Sequence, residues 1–267
     1  MIEVSIIIPF RDKVDLLNRC VSSILKKSTY KNYEIILVNN DSREDETKKY
    51  LAELSKNPLI KIINYSKPFN FSAINNFAVK YATGEFLLFL NNDTEVISEN
   101  WLEEMLKQFD DPRVSAVGAK LLYPNGTIQH AGVIVGKNIA THQFLGIREE
   151  DLGKNDIVRQ VDAVTGACMM TKKDLFLELG GFDEKNLPIA YNDVDYCLKL
   201  REKGYEIIYT PYAKLYHHES ASRTNDIFAK IFNRKRNVEF QKEQEYMRKR
   251  WKKEVENDQY YNSEFLK

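Results

Sequence analysis

The chain has 267 residues, 43% of them hydrophobic, enough for one sizeable core in one large or two small domains. Lysine plus arginine and aspartate plus glutamate balance at 39 each, which excludes a global field for nucleic acid or a membrane surface. Cys20, Cys168 and Cys197 show neither pairing nor zinc spacing, and no apolar run approaches the roughly 18 residues of a membrane span; a reducing compartment is expected. The opening "MIEVSIIIPF" contains Glu3 and too short an apolar run for a signal peptide, so a cytoplasmic location is expected.

In chain order, the β-branched run "VSIIIPF" predicts a first strand, followed by "YEIILVN", "IKIINY" and "FLLFL". Between them, "DLLNRCVSSILKK", "EDETKKYLAELSKN" and "FSAINNFAVKYATG" have helical spacing, with Gly84 as the expected stop of the third helix. This alternation predicts an α/β fold with a mainly parallel, Rossmann-like sheet and helices on both faces. After residue 112 the rhythm changes. "VSAVGAKLLY", "GTIQHAGVIVG" and "VDAVTGACMMT" read as strands without regular intervening helices, and residues 138–160 read as a long polar loop. Two helices, "KKDLFLELGG" and "NDVDYCLKLREKG", precede the strand "YEIIYTP", and residues 226–255 read as one long helix. The division expected is one compact unit over 1–225, with a nucleotide-binding front half at 1–112 and a mixed rear half at 113–225, then a helical tail at 226–267.

Three clusters carry chemistry. "FLLFL" delivers Asn91, Asn92 and Asp93 to the carboxyl edge of the sheet, where open α/β sheets bind ligands. A carboxylate flanked by amides there suits a hard cation, although a polar turn capping the next element accounts for the same residues. In "NDVDYCLKL", Asp193 and Asp195 open an amphipathic helix with Val194, Cys197, Leu198 and Leu200 facing inward; acidic residues at a helix start also satisfy the dipole. In "LYHHESASR", adjacent His217 and His218 point in different directions, so one at most shares a ligand position with Asp93. Cys168, Met169 and Met170 in "GACMMTKK" are read as packing, and "GGFDE" at 180–184 as a helix stop and turn.

Taken in order, "VSIIIPFRDKVDLLNRCVSSIL", "PFNFSAINNFAVKYATGEFLLFLNNDTEV", "GAKLLYPNGTIQHAG", "VTGACMMTKKDLFLELGGFDE", "NDVDYCLKLREKGY" and "TPYAKLYHHESASR" resemble glycosyltransferase family 2, of the GT-A fold. The resemblance runs through "YMRKRWKKEVENDQYYN" and is greatest to bacterial enzymes that build O-antigen and rhamnose-rich polysaccharides. It implies a divalent metal, Mg²⁺ or Mn²⁺, on Asp93 and His217, with His218 as the fallback. Asn91 replaces the family's first metal-site aspartate, and Asn192 replaces a glutamate beside the catalytic base position, Asp193. Pro9, Phe10 and Arg11 match the segment around base and ribose. Asn39 stands where an aspartate usually contacts the pyrimidine, with Asp41 as the alternative contact, and Asn76 matches a helix asparagine beside the donor. Asn91 and Asn92 complete the donor side.

The activity implied is inverting transfer of a sugar from a UDP- or dTDP-sugar to a saccharide or lipid-linked acceptor, with Asp193 as general base. A catalytically decayed nucleotide-sugar-binding module is the alternative, motivated by the three asparagine replacements. A dinucleotide oxidoreductase and a P-loop nucleotidase lack their glycine motifs here. The basic tail, with Arg234, Lys235, Arg236, Arg248, Lys249, Arg250, Lys252 and Lys253, is expected to pack on the catalytic domain. It is also the candidate for peripheral contact with the inner face of the membrane.

Overall fold

The computed structural model describes residues 3–218 and 227–256, except the side chains of 155 and 227–237. Arg234, Lys235 and Arg236 therefore lie outside the described side chains, and 257–267 outside the described residues.

The first half alternates as its pattern predicts: β1 (Val4–Phe10), α1 (Val14–Lys27), β2 (Tyr33–Asn39), α2 (Asp45–Leu54), β3 (Ile60–Asn64), α3 (Phe71–Val79), β4 (Phe86–Leu90), β5 (Thr94–Val96) and α4 (Trp101–Leu106). The second half contains β6 (Val114–Leu122), β7 (Ile128–His130), β8 (Val133–Gly136), β9 (Ile139–His142), α5 (Glu149–Leu152), β10 (Arg159–Val161), β11 (Cys168–Lys172), α6 (Lys173–Glu178), α7 (Asn192–Glu202), β12 (Glu206–His217), α8 (Ile227–Arg250) and α9 (Lys252–Glu256).

The main sheet runs β10-β12-β6-β11-β4-β1-β2-β3, with β5 on β12 and β7 on β6. β1, β2, β3 and β4 are mutually parallel. β11 is antiparallel to both β4 and β6, and β12 is parallel to β6. The carboxyl ends of β1, β2, β4, β6 and β12 thus share one edge with the start of β11. Strand order reverses between β1 and β4, which opens a crevice there. Alternate strand residues feed two cores. Ile7, Ile36 and Phe89 face α3, α6 and α7, whereas Ile6, Ile8 and Leu88 face α1 and α4.

"GTIQHAGVIVG" divides into β7 and β8, "VDAVTGACMMT" is broken between β10 and β11, and the strand begun by "YEIIYTP" runs on to His217. Three further departures have a physical cause in long-range contacts. Gly84 does not end α3, which stops at Val79. A Cβ on Gly84 would lie 2.7 Å from the Ser5 backbone nitrogen, so glycine is needed for chain approach rather than as a helix cap. Residues 138–160 are not a loop throughout, since β9, α5 and the start of β10 lie within them. This segment is tied down by Lys120, a fully buried lysine whose ammonium pairs with Glu149 and Asp156. The tail helix is interrupted at Trp251, and Met247, Trp251 and Val255 are buried in the core facing α7.

Candidate active site

β4 ends at Leu90, and the chain turns at once. The Asn91 backbone N–H donates to the Ala167 carbonyl at 3.0 Å, and the Thr94 hydroxyl closes the turn on the Asn91 carbonyl at 2.9 Å. Antiparallel pairing of β5 with β12 sets Thr94 opposite His217, which carries that imidazole to the Asp93 turn. Nε2 of His217 lies 3.1 Å from Oδ1 of Asp93 and 3.2 Å from Nδ2 of Asn91. His218 points elsewhere: its backbone N–H donates to the Asp93 carbonyl, while its ring meets Glu95 at 3.3 Å and Arg19 at 3.3 Å.

Gln129, at the centre of β7, holds His217 from behind, with Oε1 accepting from Nδ1 at 2.5 Å. A proton on Nδ1 leaves Nε2 as a lone pair directed at Asp93 and Asn91. Oδ1 of Asp93 is itself buried without a hydrogen bond. Burial acts to raise the Asp93 carboxyl, but the proximity and charge of His217 outweigh it and hold the group below the usual carboxylate range. An imidazole nitrogen and a carboxylate oxygen facing each other at this distance suit a cation between them. The residues therefore fit a divalent ion, with one carboxylate and one imidazole as protein ligands and a fixed outer partner on the histidine. Among the described residues no three His, Cys, Asp or Glu side chains converge. Such an ion would complete its shell with non-protein oxygens.

Asp193 begins the first turn of α7. Its Oδ2 accepts from the Gly166 N–H at 2.8 Å and its Oδ1 from the Val194 N–H at 2.8 Å. Gly166 and Ala167 thus join the two halves of the site: one binds Asp193 and the next binds the Asn91 turn. Asn192 is buried and donates to the Ile189 carbonyl. Asp195, paired with Asp193 in the sequence, has a different role. It is fully buried and meets Lys199, Arg250 and the Trp251 indole N–H.

The remaining predicted residues lie at the ends of β1, β2 and β4 and on α3. Phe10 turns its ring into the core, Pro9 is half-buried, and Arg11 is exposed. Asn39 accepts from the Ser42 N–H and donates to Oδ1 of Asn64, each at 3.0 Å, leaving one amide N–H and one carbonyl lone pair for a ligand. Asp41 is exposed with φ 57° and pairs with Arg43. Asn92 is half-exposed at the turn. Asn76 accepts from and donates to the Phe182 backbone, clamping the 180–184 turn. It also lines a cavity of about 510 Å³ between residues 64–67, α3 and α6, which includes none of Asp93, Asp193 or His217. The three cysteines are buried free thiols; burial pushes Cys20 up to about 12 and raises Cys168 as well, so neither is a nucleophile.

A mixed, mostly parallel sheet with this site on its carboxyl edge is the GT-A arrangement. The structure superposes on the crystal structure of GalNAc-T7 with UDP, GalNAc and Mn²⁺ at a TM-score of 0.68 and 19% identity, covering 82% of this chain and 44% of that one. The model for glycosyl transferase family 2 matches residues 5–180, and the chain belongs to that family. It is 43% identical over 229 residues to the O-antigen biosynthesis protein RfbC of Myxococcus xanthus, covering 84% of this chain and 18% of that protein. It is also 40% identical over 264 residues to the uncharacterized protein y4gI of Sinorhizobium fredii, covering 97% of this chain and 28% of that protein. The chain thus spans less than a third of the length of these relatives.

Proposed function

We propose that the chain is a metal-dependent, inverting glycosyltransferase unit. It would move a sugar from a UDP- or dTDP-sugar to a saccharide or lipid-linked acceptor during cell-surface polysaccharide synthesis. The observation that carries this reading is the convergence of the Asp93–His217 pair and Asp193 on one sheet edge, joined through Gly166 and Ala167. Family membership and the similarity to an O-antigen biosynthesis protein support the setting.

Asp93 and His217 would hold Mg²⁺ or Mn²⁺, which when bound neutralises charge on a departing nucleoside diphosphate. Gln129 keeps the His217 ring turned toward Asp93. Asp193, with both oxygens oriented by backbone N–H groups, would take the proton from the acceptor hydroxyl, a contribution of about 10²–10⁴-fold in rate. One base and one metal-stabilised leaving group would fit a single displacement with inversion. Asn39, or Asp41 in its place, would contact the pyrimidine, with Arg11 on the open side of the crevice. The basic residues of α8 and α9 would support peripheral contact with an anionic cytoplasmic leaflet; among the described residues no helix is long and apolar enough to cross a membrane.

The test is release of nucleoside diphosphate from a panel of nucleotide sugars with Mg²⁺ or Mn²⁺. Metal-dependent release from one or a few donors is expected. Nucleotide binding without release from any donor, with a saccharide acceptor panel present, would favour a non-catalytic binding module, the reading motivated by Asn39, Asn91 and Asn192.

A further inference from the structure

Asp193 is held on both sides by the same distant piece of chain. Four and three residues earlier, the backbone N–H groups of Ile189 and Ala190 both donate to the carboxylate of Glu243, at 2.9 and 3.1 Å. Glu243 is 2% exposed, so this carboxylate is buried against a loop rather than solvated. Tyr191 follows in the left-handed region, φ 59°, an uncommon conformation for a bulky residue. It too is gripped from α8: its ring stacks on Phe240 with centroids 5.4 Å apart, and its hydroxyl accepts from the Gln244 amide at 3.0 Å. Two residues after Asp193, the buried Asp195 accepts from the Trp251 indole at 2.9 Å and from Arg250 Nε at 3.1 Å.

Residues 240 to 251 therefore contact 189, 190, 191 and 195 and bracket the one side chain between them that faces Gly166. A helix docked only for stability needs apolar contacts, which Met247, Trp251 and Val255 already supply. A buried carboxylate that accepts from two successive backbone N–H groups instead fixes the path of the loop, because charge-assisted bonds are short and directional.

We propose that Glu243 is a positioning residue for Asp193, and that α8 belongs to the catalytic apparatus. This rests on the reading of Asp193 as the base. Glu243 touches no reacting atom. It sets the loop that starts α7, and so the distance from Asp193 to the acceptor oxygen. A misplacement of about 1 Å in such a group costs on the order of 10²-fold in rate.

The experiment uses the full chain, the nucleotide sugar selected by the donor panel, and titration with UDP or dTDP plus Mn²⁺. Glu243→Gln replaces one accepting oxygen with an amide that cannot accept. It is expected to lower kcat about 10- to 100-fold, while nucleotide affinity and donor KM stay within about twofold. Val255→Ala, a packing change on the same docked segment, is the control and is expected to lower Tm without lowering kcat. Should Glu243→Gln fail to fold, Trp251→Phe removes the indole donor to Asp195 while keeping most of the packing, and a fall in kcat at constant donor KM is expected again. Wild-type kcat in folded Glu243→Gln overturns the proposal, as does an equal loss of kcat in Val255→Ala at matched Tm. Asp193→Asn is measured in parallel. Full turnover there removes the base reading itself, whereas an inactive Asp193→Asn beside a fully active Glu243→Gln refutes the positioning role alone.

Discussion

Asp93 and Asp193 meet different demands, so their removal should separate binding from chemistry. Asp93→Ala is expected to abolish turnover and to weaken nucleotide binding in the presence of Mn²⁺, because one of the two proposed protein ligands of the ion is gone. Asp193→Asn should leave that binding nearly intact and lose kcat, the signature of a group needed only in the transition state. Calorimetric titration beside steady-state kinetics distinguishes the two. His217→Ala should reduce Mn²⁺ affinity and rate more than His218→Ala, since only the His217 ring meets Asp93. Gln129→Ala should reduce Mn²⁺ affinity about 10- to 100-fold by releasing the ring from its outer partner. A Gln129→Ala titration indistinguishable from wild type would remove that role. Asp93, Asp193 and the histidine pair were legible as candidates because their residue types sit at strand or helix ends. Gln129 was not. A polar residue in a short strand carries no local signal, and its partner lies 88 positions away. The helical pattern of "NDVD" alone does not tell Asp193 from Asp195; the family resemblance singles out Asp193, and their opposite neighbours, Gly166 and Trp251, set one beside the Asn91 turn and the other in the interior.

At the scale of elements, the apolar strands and amphipathic helices of the first half were legible because each is set by its own hydrophobic period. What failed was punctuation by long-range contact. Gly84 looked like a helix stop but is required by the Ser5 backbone, so Gly84→Ala should destabilise the fold by about 1–3 kcal/mol, read from chemical unfolding. The segment 138–160 looked like a free loop because its anchor, Lys120, lies inside a strand otherwise built of apolar and small residues. Lys120→Met leaves Glu149 and Asp156 without their buried cation. A loss of about 3 kcal/mol is expected, at the low end for a broken buried pair because Lys214 still reaches Glu149. The pH dependence has a definite sign. Burial raises the Glu149 carboxyl, but bonds to Lys120 and Lys214 bring it below its ordinary value on balance. Its stabilising contribution is complete above the unfolded-state value of about 4.3 and vanishes as pH falls through the lower folded one. The difference in Tm between wild type and Lys120→Met should therefore be largest near neutrality and narrow below about pH 4; a gap that widens in acid would contradict the pairing.

For the molecule as a whole, the basic tail has an intramolecular contact surface and a proposed membrane contact on the same segment. Arg250 is committed to Asp195 and Arg248 to the Lys137 carbonyl, whereas Lys249, Lys252 and Lys253 are exposed. Each exposed cation near an anionic leaflet contributes about 1 kcal/mol. Weak, salt-sensitive cosedimentation with vesicles containing phosphatidylserine is expected, and none with neutral vesicles. Equal and negligible binding to both at low salt would leave the tail with its intramolecular role alone. The pairing of β5 with β12 also bears on how the protein is made. Asp93 meets its histidine only when the last strand has added to the sheet, 124 positions downstream, and the Glu243 contacts need a further helix. A ribosome-bound chain halted near residue 200 would hold the parallel strands and the crevice, yet neither His217 nor Glu243. Synthesis from the N-terminus thus orders the acquisition of properties: a nascent chain can build the crevice between β1 and β4 well before it can bring Asp93 to His217 or fix the loop before Asp193.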